Sequence, residues 1–150
     1  MNLNNKQFVG SWELLEWATE SIDGRKEYPF GTDPIGQITY ESNGSMSVMI
    51  MKNNRTRFLS EDPFQGQPDE VIDAFNGFIA YSGIYIVTPG SNQVVHQIRI
   101  SSFPNWTGQD QIRKFEFHEG KLTLSTDLIG PNRHKLVWRK SGHGHIPVTM

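Results

Sequence analysis

Glu16, His96 and Arg113 are side chains of chemically active types whose spacing can point them into a common interior. Along an extended strand successive side chains alternate between faces. In residues 94–101 this puts His96 on the apolar face with Val94, Ile98 and Ile100, opposite Val95, Gln97, Arg99 and Ser101. The same test sets Arg113, Phe115 and Phe117 against Ile112, Lys114, Glu116 and His118, and sets Glu16 beside Trp12 and Leu14, with Leu15 and Trp17 on the competing face. A histidine titrates near neutrality and suits proton transfer. A buried arginine needs a carboxylate, a ring of carbonyls or an anionic ligand group. Together the three would form a small polar constellation in a greasy cavity, the usual composition of a small-molecule pocket. The alternation also fits Arg113 at a rim in water and His96 as a hydrogen-bonded core residue.

Aromatic residues widen the candidate set. Tyr40, Tyr81 and Tyr85 fall in strand-like runs, and any inward hydroxyl must find a partner, so they are candidate donors to a ligand carbonyl. Trp106 lies in the 103–108 loop after the His96 strand, where it either caps a mouth or packs into the core. Met46, Met49 and Met51 suggest an adaptable wall, and Arg55 and Arg57 either attract an anion or are solvated. The expected ligand-binding residues are therefore His96, Arg113, Trp106, Tyr81, Tyr40 and Phe115, with His96 and Glu16 as the candidates for proton transfer. His143 and His145 are too few for a zinc site, so no metal is expected. A nucleophile elbow, a phosphate-cradling glycine loop and a His-Glu-x-x-His helix are all missing, and no cofactor is expected. Haem with His96 as proximal ligand is a weaker possibility.

The elements that must position these groups are short β-prone runs separated by turns. A first strand spans residues 11–21 and ends at Asp23-Gly24, a favoured tight-turn pair. Residues 28–34 read as a loop. Strands at 36–40 and 45–51 flank the hairpin signal Asn43-Gly44. Residues 52–68 form a long polar loop or lid. Pro68 and two acids then open a short helix over 69–77, with Val71, Ile72 and Phe75 at helical spacing. Further strands follow at 80–87, 94–100, 111–117, 121–126 and 134–140. About eight sequence-adjacent strands wind most simply up and down, and closing them into a barrel removes exposed edges and leaves room for one small ligand. The expected fold is thus all-β, an antiparallel up-and-down barrel of about eight strands with one short helix, in a single domain of 150 residues with 1–7 and 141–150 as peripheral tails.

Composition narrows the function. A net charge of -2 with scattered Lys and Arg offers no basic face for nucleic acid. No apolar run approaches the roughly 20 residues of a spanning helix, so no membrane insertion is expected. With no cysteine, there is neither a disulfide nor a thiol nucleophile. The polar start before Phe8 leaves no room for a signal core, and the cytoplasm is the expected location. Nothing in the sequence specifies an oligomeric state.

Gly10-Ser11-Trp12 at the head of the first strand fits the Gly-x-Trp motif of lipocalins. More specific is its combination with Asp23-Gly24-Arg25, Tyr28-Pro29-Phe30-Gly31, Gly36 with Tyr40, Gly44-Ser45-Met46-Ser47, the run from Phe75 to Tyr81 with Gly83 and Tyr85, His96, Phe103-Pro104-Asn105-Trp106 with Gly108, Gln111 and Arg113, and residues 122–126. Over nearly its whole length the chain resembles the standalone bacterial and fungal lipocalin-like domain proteins. The resemblance implies a calycin-type barrel, with Arg139 as the basic residue packed on Trp12. It also implies either a carrier of a small hydrophobic molecule or a cofactor-independent isomerase or cyclase acting on a hydrophobic metabolite in the same pocket. The former is the leading expectation.

Overall fold

A computed structural model describes residues 5–141. Nine strands run in chain order: β1 (Gly10–Ser21), β2 (Lys26–Glu27), β3 (Ile35–Tyr40), β4 (Ser45–Met51), β5 (Phe78–Val87), β6 (Gln93–Ser101), β7 (Asp110–His118), β8 (Lys121–Ser125) and β9 (Asn132–Lys140). The one α-helix, α1 (Pro68–Asn76), stands between β4 and β5. Every neighbouring pair is antiparallel, and β1 pairs with β9 as well as β3, which closes eight strands into a barrel. The two-residue β2, too short to show in the sequence pattern, only extends the far end of β1. Among the described residues no helix is long and apolar enough to cross a membrane. Of the expected tails 1–7 and 141–150, residues 1–4 and 142–150, with His143 and His145, lie outside the described residues.

One end of the barrel is plugged. Phe8, fully buried just before β1, packs edge-on against Tyr40, Phe115 and Phe117 with ring centroids 4.9–5.1 Å apart. Such edge-to-face contacts are worth about 0.5–1.5 kcal/mol each beyond simple burial. Trp12 closes the layer, its indole N–H donating to the Phe8 carbonyl at 2.9 Å. The basic residue over Trp12 is Lys140, with Nζ 4.7 Å from the ring centroid, and not Arg139 as the resemblance implied. Strand alternation is the cause: Trp138 points inward, so Arg139 points outward to pair with Glu13, and Lys140 returns to the Trp12 side, its register partner. Gly10 holds φ at +127°, and a Cβ there would come 2.6 Å from Lys140 Cε. The positive φ is what calls for glycine at the first residue of the Gly-x-Trp motif, since the end of the Lys140 side chain can give way.

Two bulges reset the alternation. The register of β1 on β9 shifts between Leu14 and Glu16, so Trp17 takes the inward face and Glu16 turns outward, where it meets Lys26 at 3.5 Å. The register of β5 on β6 shifts between Ser82 and Gly83, and Ile100, expected inside, ends 71% exposed. A bulge adds one residue to one strand and flips everything beyond it.

Residues 52–67 are fastened to the helix. Glu70 accepts from the Leu59 and Gln67 backbone N–H groups at 2.9 and 2.8 Å, Asp73 accepts from Thr56 N at 3.1 Å, and the Arg55 guanidinium stacks 5.3 Å over Phe78.

Candidate functional site

The unplugged half of the barrel holds a cavity of about 180 Å³. Its walls are Ile38, Val48 and Ile50 from β3 and β4, Ile79 and Tyr81 from β5, His96 and Arg113 from β6 and β7, and Leu124, Leu136 and Trp138 from β8 and β9. Trp17, Thr126, Ile129, His134 and Trp106 complete it. An apolar cavity of about 150 Å³ takes up benzene, so this one has room for roughly one substituted aromatic ring.

His96 is 1% exposed and sits between two hydroxyls: Tyr40 Oη lies 2.7 Å from Nε2, and Tyr81 Oη lies 2.7 Å from Nδ1. Burial, reinforced by the Arg113 charge, pushes its pKa from 6.5 down to about 3. The ring is neutral at any physiological pH. Burial also holds the Tyr40 hydroxyl well above the usual phenol range and raises that of Tyr81, which the Arg113 charge partly opposes. Arg113 is inward because its register partner Val94 is inward, and it is 8% exposed. Its Nη1 donates to the Ile112 carbonyl at 3.1 Å and, at 3.4 Å, to Gln111 Oε1. Among the described residues it makes no ion pair.

On the far wall the Trp17 indole N–H donates to His134 Nδ1 at 2.9 Å, and burial followed by the Arg113 charge lowers the pKa of His134. The Trp138 indole nitrogen is buried without a partner. Leaving a buried donor unpaired costs about 1–3 kcal/mol. Over the mouth, Trp106 stands at the end of a 3-10 turn (Pro104–Trp106), its ring edge-on to Tyr81 at 5.9 Å and to Phe103 at 5.4 Å. The loop is tied to β5 by Ser102, whose N–H donates to the Ala80 carbonyl at 2.8 Å and whose Oγ accepts from Ala80 N at 2.9 Å.

Of the residues singled out from the sequence, His96, Arg113, Tyr81 and Trp106 therefore meet around one cavity. Tyr40 stands behind His96 and touches it from the plugged side. Phe115 shares the inward face but packs against Phe8 in the plug, away from the cavity wall. Glu16 is outside the barrel because of the β1 bulge, so it cannot share a proton with His96. Both nitrogens of His96 are engaged by tyrosines, which leaves no lone pair for haem iron. Among the described residues no three His, Cys, Asp or Glu side chains gather as a metal site. Tyr85 donates to the Glu41 carbonyl at 2.8 Å in the plug, and Met49 and Met51 fall on the outer parity of β4. Arg55 and Arg57 line an outer groove, not the cavity. Trp17 was hidden by the bulge, whereas His134, Leu136 and Trp138 were readable from the alternation of β9, which carries the same inward signature as β6.

Several known proteins are similar to this chain. A 4'-hydroxy-3'-methoxypropiophenone carrier protein from Aspergillus oryzae is 29% identical over 108 residues, which cover 63% of this chain and 96% of that protein. Among solved structures, a de novo designed fluorescence-activating β-barrel aligns over 94% of this chain and 100% of its own at 14% identity, with a TM-score of 0.46. The fluorescent protein UnaG aligns over 91% and 99% at 12% identity with a TM-score of 0.42, and a fatty acid transporter (REP1-NXSQ) over 91% and 97% at 12% identity, also with 0.42. The lipocalin-like domain model matches residues 9–141, nearly all of the barrel, and this chain belongs to the lipocalin-like domain family.

Proposed function

We propose that this protein binds a small, largely apolar molecule inside the barrel and acts as its carrier or binding protein. One observation carries the reading: a cavity of about 180 Å³ with walls mainly of Ile, Leu, Val and Trp and a few polar groups set among them. Buried apolar walls supply affinity and a few fixed polar groups supply orientation. The Aspergillus oryzae relative, named as the carrier of a one-ring aromatic ketone, supports a cargo of this size. His96 and Arg113, with Tyr81 and Trp106 beside them, are the residues we assign to ligand contact, and Tyr40 to holding His96. The cysteine-free chain is in keeping with action in the reducing cytoplasm.

Proton transfer in the same cavity has less support. A general base works best with a pKa near the working pH, and that of His96 is about 3. Native mass spectrometry of the protein purified from its own cell tests the carrier reading. A retained mass of a few hundred daltons, lost on denaturation, is the expected result. If the protein emerges without cargo and fails to take up any compound from an extract of that cell, the reading is wrong.

A further inference from the structure

We infer that the cavity selects a ligand presenting a hydrogen-bond-accepting oxygen, a carbonyl or a carboxylate, because the polar groups on its wall carry more protons than the acceptors around them can take. The inference rests on the small-molecule reading above and adds the chemistry of what fills the site.

Tyr40 sets the polarity. It is fully buried, and its hydroxyl has one partner, His96 Nε2. A buried hydroxyl whose proton meets no acceptor is costly, so Tyr40 donates and Nε2 accepts. In the neutral ring the proton then sits on Nδ1, which donates to Tyr81 Oη. Tyr81 has therefore accepted from the histidine and keeps its own proton, for which no protein acceptor is in place among the described residues. Tyr81 and His96 both face the cavity.

The opposite wall has the same sign. An indole nitrogen can only donate, so His134 Nδ1 accepts from Trp17 and the neutral ring carries its proton on Nε2. Arg113 has donors only: its Nη1 donates to the Ile112 carbonyl and to Gln111 Oε1, and its guanidinium also reaches the Tyr81 hydroxyl, so its five N–H groups outnumber the acceptors around it. Thr126 is already spent, since its Oγ1 donates to the Asp127 carbonyl at 2.7 Å and accepts from His134 N at 3.0 Å. No carboxylate or side-chain amide lies on the wall. An oxygen acceptor can take one or two of these protons, whereas a hydrocarbon takes none and an ammonium group meets mainly other donors and a positive charge.

Calorimetric titration with three probes of similar size tests this: propiophenone, 3-phenylpropionate and propylbenzene. The ketone or the carboxylate should bind at least about tenfold tighter than the hydrocarbon, the factor expected of one or two hydrogen bonds to charged or buried donors. Whichever of the two wins identifies the form of the oxygen. Tyr81→Phe should cut that preference severalfold while propylbenzene affinity holds, and Arg113→Met does so independently if the first variant folds poorly. In the unliganded protein, 15N NMR should find the His96 proton on Nδ1 and the His134 proton on Nε2. Equal affinity for all three probes, or the opposite His96 tautomer, overturns the inference and leaves the small-molecule reading intact. Failure of every probe to bind also overturns the inference, and the small-molecule reading then falls only if native mass spectrometry finds no retained or captured compound.

Discussion

Tyr81 Oη and His96 Nδ1 stand 2.7 Å apart on the cavity wall, and Tyr40 grips the same ring from the plugged side, also at 2.7 Å. The histidine thus belongs to both halves of the barrel: it is part of the packed core on one side and of the cavity wall on the other. Its neutrality follows from burial, and the donor pattern of the cavity follows from its neutrality.

That arrangement makes stability depend on pH in a definite window. The folded pKa of His96, about 3, lies below the ordinary 6.5, so between these values the unfolded chain takes up a proton that the native one refuses. Stability is complete above pH 6.5 and falls as the pH drops toward 3, by about 2 kcal/mol at pH 5. His134, whose pKa is also lowered, adds to the slope with the same sign. Urea midpoints between pH 7.5 and 5, above the main carboxylate range, should show this decline, and His96→Gln should remove most of it. An unchanged slope in the variant would refute the assignment.

Removing the Tyr40 hydroxyl should cost stability without opening the cavity. Tyr40→Phe keeps the ring in its contacts with Phe8 and Tyr85 but leaves His96 Nε2 buried and unpaired. A loss of about 1–3 kcal/mol is expected, read as a lower denaturant midpoint at constant m-value. Tyr85→Phe, whose hydroxyl reaches only the Glu41 carbonyl on a half-exposed edge, should cost less.

Lys140 and Arg139 should behave oppositely to what the family resemblance implied. Lys140 lies over Trp12 and its Nζ donates to the Val9 carbonyl, while Arg139 pairs with Glu13 on the exterior. Lys140→Ala should therefore cost about 0.5–1 kcal/mol or somewhat more, and Arg139→Ala about 0–1 kcal/mol. Thermal melts of the two variants side by side decide the ranking.

What the sequence revealed and what it hid divide along one physical line. Strand alternation with Asp-Gly and Asn-Gly turns carried the barrel and the inward placement of His96 and Arg113, and Pro68 with its two acids and helical spacing carried the helix, because the signal for each lies within a single element. Glu16 and Ile100 were misplaced because each lies at or beyond a bulge, and a bulge is a property of two strands in register that one strand's pattern does not contain. Phe115 was assigned to the correct face but the wrong layer, since alternation fixes direction and not height along the barrel axis. Which of its neighbours plugs the end depended on Phe8, a residue before the first strand.

Gly83 marks the second bulge in the sequence after the fact. A Cβ at this position would overlap the backbone carbonyl oxygen of Gln97, so β5 and β6 approach too closely there for any side chain. Gly83→Ala should push the strands apart beside Tyr81 and His96 and destabilise by about 1–3 kcal/mol or more, the range of substitutions that force backbone to move. Gly44, at a hairpin turn where a Cβ meets nothing within 4 Å, is the control, since Gly44→Asn should be mild in spite of its φ of +95°.

Trp106 should govern how fast the cargo leaves. It is half-buried at the mouth, braced by Phe103 on one side and Tyr81 on the other, and its loop is held to β5 through Ser102. Because the indole covers the ligand without belonging to the donor groups, Trp106→Ala should raise the dissociation rate of propiophenone about tenfold or more and leave its advantage over propylbenzene in place. Stopped-flow displacement, followed through the fluorescence of Trp17 and Trp138 on the wall, measures both rates. The separation matters: Trp106 acts on the path into the cavity, whereas Tyr81 and Arg113 act on what is recognised inside, so the two classes of variant should move rate and preference independently. A Trp106 variant that abolished the preference while leaving the rate unchanged would place the indole among the donor groups and contradict its position over the mouth.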